Sequence, residues 1–330
     1  MAFASRRPDV SVIIPAYHCE ATIEKAVSSA LGQSIRAIEV IVIDDGSRDR
    51  TPQIVAELAQ VDDRIVPIAL PENVGVGAAR NVGLAKASGA WVAVLDADDW
   101  FQPDRLRTML AAAERLDADL VCDNLRVFDH ALRHVVGVTR FGARRSATPL
   151  AVRRMFELDH AFRRHNLGFT KPMVRTEFLR REGITYDPRF RVGEDFLFLA
   201  EALLHGARAF MLPSADYVYV HRIAPSTRTV APNSRAGTGF ADICRSCAYL
   251  LGKYWRGMSR RERRALARKR KSISDWLAYM NLLAALRNKD FRQAISILKR
   301  RPTIAAIKIY TTRNRILDLM MIGRARMRRR

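Results

Sequence analysis

Three carboxylates within four residues, Asp96, Asp98 and Asp99, close the apolar run Trp91-Val-Ala-Val-Leu95. Strand bodies seldom stop in acid, and hard anionic oxygens of this kind suit Mg²⁺ or Mn²⁺ held partly by substrate phosphates. Asp96 and Asp98 alternate by two, so an extended chain projects both to one side, where they can share a divalent cation with Asp99 turned aside. The same acids would equally serve a surface turn capping a helix that begins near Pro103, and Asp98 and Asp99 could divide the two tasks. A second acidic pair, Asp44-Asp45, ends the run Ile38 to Ile43. A third, Glu194-Asp195, stands just before the apolar positions Leu197, Leu199, Ala202 and Leu203, where a helix N-terminus favours carboxylates.

The elements that must carry these groups alternate in type. Val10 to Ile14 reads as a strand ended by Pro15-Ala16-Tyr17, because proline cannot donate to a ladder. Ile23, Ala26, Val27, Ala30 and Leu31 follow a helical period. Ile38 to Ile43 is nearly continuous in apolar residues, as an inner parallel strand should be, and Thr51-Pro52 opens another helix. Arg64 to Ile68 is a third strand, leading through Asn73-Val-Gly75-Val-Gly77 into a helix bearing Arg80. This alternation predicts a parallel, doubly wound α/β sheet, with acidic strand ends at its ligand-binding edge. Helix 103–118, strand 119–124, a hairpin and loop over 126–150, and the strand Tyr217 to His221 follow.

Gly75-x-Gly77 after a strand resembles a dinucleotide fingerprint, but Arg80 occupies the third glycine position and the first strand carries no such loop. A nicotinamide site is therefore not expected. What remains is a helix N-terminus able to face an anion, with Arg80 on its first turns.

Four words, in order, carry a more specific resemblance: Ser11-Val-Ile-Ile-Pro15-Ala-Tyr17; Val42-Ile-Asp44-Asp45-Gly46-Ser47-x-Asp49-x-Thr51; Asn73-x-Gly75-x-x-x-Ala79-Arg80-Asn81-x-Gly83; and Leu95-Asp96-x-Asp98-Asp99. Together they resemble the family 2 glycosyltransferases of GT-A fold, a Rossmann-like mixed sheet flanked by helices. The resemblance implies an inverting transfer of sugar from a UDP-sugar to a hydroxyl of a glycan or lipid-linked acceptor, as in bacterial exopolysaccharide or surface-glycan assembly. It places Pro15, Ala16 and Tyr17 on a wall of the nucleoside pocket, Asp44 and with it Asp45 on the uracil, and Arg80 near the nucleotide. Asp96 would contact ribose or metal, and Asp98 would ligate Mg²⁺ or Mn²⁺. Gly193-Glu194-Asp195-Phe196 matches the word that holds the general base, which makes Asp195 the base with Glu194 beside it. His221 and Arg222, at the end of the Tyr217-x-Tyr219 strand, are candidate diphosphate contacts, although the spacing departs from the family's pattern.

The net charge of +22 is unevenly placed. Residues 1–240 carry 31 Lys and Arg against 29 Asp and Glu, whereas residues 241–330 carry 25 against 5. From Gly237 onward the pattern is helical (243–255, 260–271, 276–286, 291–298, 304–321), with apolar and basic positions interleaved. An anionic membrane attracts such helices by about 1 kcal/mol per basic residue near its surface. The reading is thus a catalytic domain over 1–236, with a nucleotide half near 8–124 and an acceptor half near 125–236, and a basic helical extension over 237–330. A nucleic-acid-binding protein working through that extension is the rival, disfavoured because interleaved aromatics and recognition motifs are lacking. A nucleotidyltransferase would announce itself with a Gly-rich basic signature near the N-terminus. Four scattered cysteines do not make a disulfide framework, and Cys244-x-x-Cys247 reads as two neighbours on a helix. The opening residues lack a signal-peptide pattern and no apolar run approaches the roughly 20 residues that span a bilayer, so a cytoplasmic protein, peripheral at the inner membrane face, is expected.

Overall fold

A computed structural model describes residues 7–141, 145–158, 167–221 and 238–301. Arg222 and the helix expected over 304–321 lie outside the described residues. The first half runs β1 (Val10–Ala16), α1 (Ile23–Leu31), β2 (Ile38–Asp44), α2 (Thr51–Val61), β3 (Ile65–Ala69), α3 (Val76–Lys86) and β4 (Trp91–Val94). There follow β5 (Trp100–Phe101), α4 (Arg105–Arg115), β6 (Leu120–Cys122), β7 (Leu125–Asp129), β8 (His134–Val138), β9 (Thr148–Pro149) and α5 (Val152–Leu158). The rest comprises β10 (Met173–Arg175), α6 (Thr176–Glu182), α7 (Glu194–Leu204), β11 (Ala209–Met211), β12 (Tyr217–His221), α8 (Thr238–Lys253), α9 (Arg260–Arg287) and α10 (Phe291–Arg300).

Every residue of β1 is buried, because this strand lies between β2 and β4 with helices against the sheet. Helix α3 approaches β1 and β2 so closely that a Cβ on Gly83 would sit 2.5 Å from Ile13 Cγ2 and 2.9 Å from Ile43 Cδ1. Only glycine fits there without displacing the sheet's central isoleucines.

The eight-stranded sheet has the order β3-β2-β1-β4-β10-β6-β11-β9. The predicted parallel arrangement holds from β3 to β4. Beyond it β10 is antiparallel to both β4 and β6, and β9 is antiparallel to β11, so the sheet is mixed. The reversal matters for chemistry: an antiparallel β10 begins where its parallel neighbours end. Its N-terminal approach, Thr170-Lys171-Pro172, therefore meets the acidic strand ends. A smaller sheet, β5-β12-β7-β8, stands beside this edge.

Two local expectations are corrected. Strand β4 stops at Val94, and Asp96 to Asp99 form a turn closed by the Asp99 N–H donating to the Asp96 carbonyl at 3.0 Å. The alternation argued for Asp96 and Asp98 does not apply to a turn. The helices read separately over 260–271 and 276–286 are one, α9, opened by a Ser259–Glu262 capping box; no glycine or proline between them breaks it. Helix α8, the turn after it and the first half of α9 place Cys247, Leu250, Met258, Ala265, Leu266 and Ile273 in the same continuous core as the large sheet. The second half of α9 pairs with α10 around a small separate cluster of Tyr279, Leu282, Ala285 and Ala294. The four cysteines are free thiols, with Cys244 and Cys247 both on α8. Among the described residues no helix is long and apolar enough to cross a membrane.

Candidate active site

The carboxyl ends of β1, β2 and β4 lie side by side, with Ala16 in register with Asp44 and the Leu95 N–H donating to the Ile13 carbonyl. Over this edge α3 brings Arg80 and the N-terminus of α7 brings Glu194 and Asp195. Gly193, which begins α7, has φ +84°, a left-handed conformation that lets the chain turn sharply into the helix and present both acids on its first turn.

Arg80 is only 2% exposed and meets three carboxylates. Its Nη1 donates to Glu194 Oε1 at 3.1 Å and to Asp195 Oδ1 at 2.7 Å, and its Nη2 donates to Asp96 Oδ1 at 2.7 Å. Below, the guanidinium lies 5.0 Å from the centre of the Tyr186 ring, which itself stacks on Phe198. Lys171 completes the cluster, its Nζ 2.5 Å from Asp195 Oδ2 and 2.9 Å from Asp96 Oδ2.

Burial sets the electrostatics, and the pairing reverses it. Burial works to lower the pKa of Lys171, but Asp195 and Asp96 outweigh it and hold the ammonium well above its ordinary value. Arg80 is likewise held up by Asp195 and Asp96 against burial. Asp96, despite burial, is kept well below the usual carboxylate range by Lys171 and Arg80. Glu194 goes the other way: burial, and then the neighbouring Asp195 charge, push it to about 7 in spite of Arg80.

The three acids after β4 have different environments. Asp96 is taken up by the two cations. Asp99, 2% exposed, accepts from the Tyr217 hydroxyl and from the Val220 N–H, both at 2.7 Å, and so ties the turn to β12. Burial, with Asp98 and Asp96 adding to it, raises Asp99 well above its ordinary value. The Tyr217 hydroxyl also accepts from the Asp96 N–H at 3.2 Å. Asp98 is exposed. Among the described residues no three His, Cys, Asp or Glu side chains converge to hold a metal ion. At this turn Asp98 is the exposed carboxylate that a cation completed by phosphate oxygens could rest on.

On the adjacent strand, Pro15 and Ala16 are buried and Tyr17 is 49% exposed at the end of β1. Asp44 Oδ2 accepts weakly from the Ser47 N–H at 3.3 Å, whereas its buried Oδ1 has no partner among the described residues. Asp45 is a brace: it accepts from Asn73 Nδ2, Val74 N and Gly75 N at 2.8–3.0 Å, fixing the loop that delivers α3 and hence Arg80. His221 ends β12 in the smaller sheet. The structure thus joins Arg80, Asp96, Glu194 and Asp195 directly, and sets Pro15, Ala16, Tyr17, Asp44 and Asp45 at the ends of β1 and β2.

Lys171 was not singled out from the sequence, nor was the brace behind it. Arg105 and Asp123, both fully buried, pair through two hydrogen bonds of 3.2 and 2.9 Å, and Arg105 Nη2 donates to the Lys171 carbonyl at 2.6 Å. The available signal was a lysine between Thr170 and Pro172 at the start of an apolar run. It becomes informative only once that run is known to be antiparallel.

The profile described as Glycosyl transferase family 2 matches residues 11–178. The succinoglycan biosynthesis protein ExoO of Rhizobium meliloti (strain 1021) is 40% identical over 213 residues, 64% of this chain and 60% of that protein. ExoU, also a succinoglycan biosynthesis protein of that strain, is 34% identical over 237 residues, 69% of this chain and 67% of its own length. Among solved structures, S. aureus TarS 1-349 in complex with UDP-GlcNAc superposes with a TM-score of 0.60 at 22% identity, covering 89% of this chain and 92% of that one. At that identity the likeness is one of fold.

Proposed function

Because this chain belongs to glycosyl transferase family 2, we propose that it is an inverting glycosyltransferase that moves a sugar from a UDP-sugar to a hydroxyl of a glycan or lipid-linked acceptor in surface-polysaccharide assembly. One observation carries the reading: a single buried guanidinium, Arg80, binds Asp195 at the mouth of α7 and Asp96 at the strand edge. The proton acceptor and the donor side of the reaction are thereby held within one cluster.

In this reading the exposed Tyr17 ring lies against the base, and Asp44 accepts from the imide N–H that its unpartnered Oδ1 is suited to receive. Asp195 takes the proton of the acceptor hydroxyl as its oxygen attacks the anomeric carbon from the face opposite the diphosphate, so the configuration inverts. Arg80 fixes the orientation of the base. A Mg²⁺ or Mn²⁺ ion on Asp98 and the phosphate oxygens would supply neutralisation of the departing nucleotide's charge. His221 and Arg222 remain candidates for the diphosphate.

The acceptor chemistry suits a membrane surface on the cytoplasmic side. On α10 the apolar residues Phe291, Ile295 and Leu298 are exposed along one face, beside Arg292, Lys299 and Arg300. An apolar stripe flanked by cations is the composition that binds anionic headgroups. Flotation with vesicles containing phosphatidylglycerol, and not with neutral vesicles, is the expected behaviour.

The catalytic test is a UDP-release screen of the purified chain over several UDP-sugars with Mn²⁺ or Mg²⁺, with membrane extract as the acceptor source. UDP release that depends on acceptor and is lost with EDTA is expected. Release of pyrophosphate, or no release from any donor, overturns the reading. Asp98→Ala is expected to lose the metal-dependent part of UDP binding.

A further inference from the structure

We infer that Lys171 is a catalytic cation of the transfer, one that leaves the base Asp195 for the diphosphate of the donor and meets the charge that forms there. The inference rests on the UDP-sugar reading above.

Its starting point is an obstacle. Asp195 has both carboxylate oxygens engaged by cations, Oδ1 by Arg80 at 2.7 Å and Oδ2 by Lys171 at 2.5 Å. A carboxylate so held has a cation against each oxygen, and release of one of them would open that oxygen to an acceptor hydroxyl. The two cations are not equally free to let go. Arg80 is a planar fork bound to three carboxylates and seated over Tyr186, and its departure would leave all three with one cation among them. Lys171 is a point charge on a four-carbon stem with two carboxylate contacts.

The surroundings of Lys171 fit this division. Its backbone is pinned, because Arg105, locked by Asp123 in a fully buried pair, holds the Lys171 carbonyl at 2.6 Å. Its head already bridges from the base toward the strand edge, since the second contact, Asp96, ends the route from β4 on which a donor diphosphate would lie. A diphosphate offers more charge and more acceptor oxygens than the single Asp195 oxygen it competes with.

The bonds then balance. The acceptor hydroxyl oxygen bonds to the anomeric carbon while its proton passes to Asp195 Oδ2. The bond from that carbon to the β-phosphate oxygen breaks, its electron pair stays on the phosphate, and the Lys171 ammonium meets the new negative charge. Release of the base is in this way coupled to the presence of the group that must depart.

The test compares UDP with UMP, which lacks the β-phosphate. Binding of each is measured by calorimetry for the wild-type chain, Lys171→Met and Lys171→Arg in one Mn²⁺ buffer, with turnover measured alongside. Lys171→Met is expected to weaken UDP by about tenfold or more, as loss of a charge-assisted contact should, while leaving UMP within about twofold. Lys171→Arg, which keeps the charge but as a fork held more firmly by the carboxylates, is expected to retain more UDP affinity than Lys171→Met and less than the wild type. If Lys171 only props the cluster, UDP and UMP weaken together or not at all, and an unchanged UDP-to-UMP ratio overturns the inference. Should the methionine variant not fold, Lys171→Gln carries the same comparison. A wild-type chain that does not bind UDP overturns the donor reading itself, a result distinct from an unchanged ratio in a chain that does bind.

Discussion

Replacing Glu194 by glutamine isolates the electrostatic cost built into the first turn of α7. The amide keeps the size of the side chain and an oxygen that can accept from Arg80 Nη1, as Glu194 Oε1 does at 3.1 Å, but it cannot ionise. Burial and the Asp195 charge raise Glu194 from the ordinary 4.5 to about 7 in the folded protein. A raised carboxyl means that the folded chain binds the proton more tightly than the unfolded chain. Its contribution to stability is therefore complete below pH 4.5 and is lost as pH rises through about 7. At about 1.4 kcal/mol per unit, the shift amounts to about 3 kcal/mol, most of it lost between pH 5 and pH 8. For a chain of this size that is roughly 5 °C in melting temperature. Thermal melts of both proteins at pH 5, 6, 7 and 8 are the assay. The variant should gain on the wild type by about that amount between the two ends of the series. A difference that stays flat across the series would refute the reasoning, because it would mean that Arg80 fully cancels burial and the neighbouring charge. A variant that loses ground as pH rises would show that ionised Glu194 is favoured, the opposite sign.

Two further predictions concern the base and its support. Asp195→Asn should keep UDP affinity within a few-fold and lose turnover by about 10²- to 10⁴-fold, the range for a general base; a fully active variant would remove Asp195 from that role. Asp123→Asn strands the charge of the fully buried Arg105, which should cost about 3–5 kcal/mol in chemical denaturation. Because Arg105 also holds the Lys171 carbonyl, turnover per folded molecule should fall as well. A loss below about 1 kcal/mol would mean that water reaches the pair.

Much of the nucleotide half was legible in the sequence for physical reasons that act locally. An inner strand buried on both faces is nearly continuous in apolar residues, so Val10 to Ile14 and Ile38 to Ile43 declare themselves, and the acids Asp44 and Asp45 that end the second mark the edge where ligands bind. The turn residues before α3 and the acids at the start of α7 follow equally local rules. What the words could not carry was the sense of a strand. Nothing in Met173–Arg175 states whether it runs with β4 or against it, and that direction alone decides whether Lys171 arrives at the acidic edge or at the far side of the sheet. Nor could spacing apportion Asp96, Asp98 and Asp99. Alternation by two presumes a strand, and the chain turns at Asp96 because Asp99 is drawn to Tyr217 and Val220, about 120 residues away. Residue types and their order determined the family, the sheet edge and the candidate acids. The pairing of Arg80 and Lys171 with those acids was decided by tertiary contacts between segments distant in sequence, where burial makes an unpaired charge too costly to leave alone.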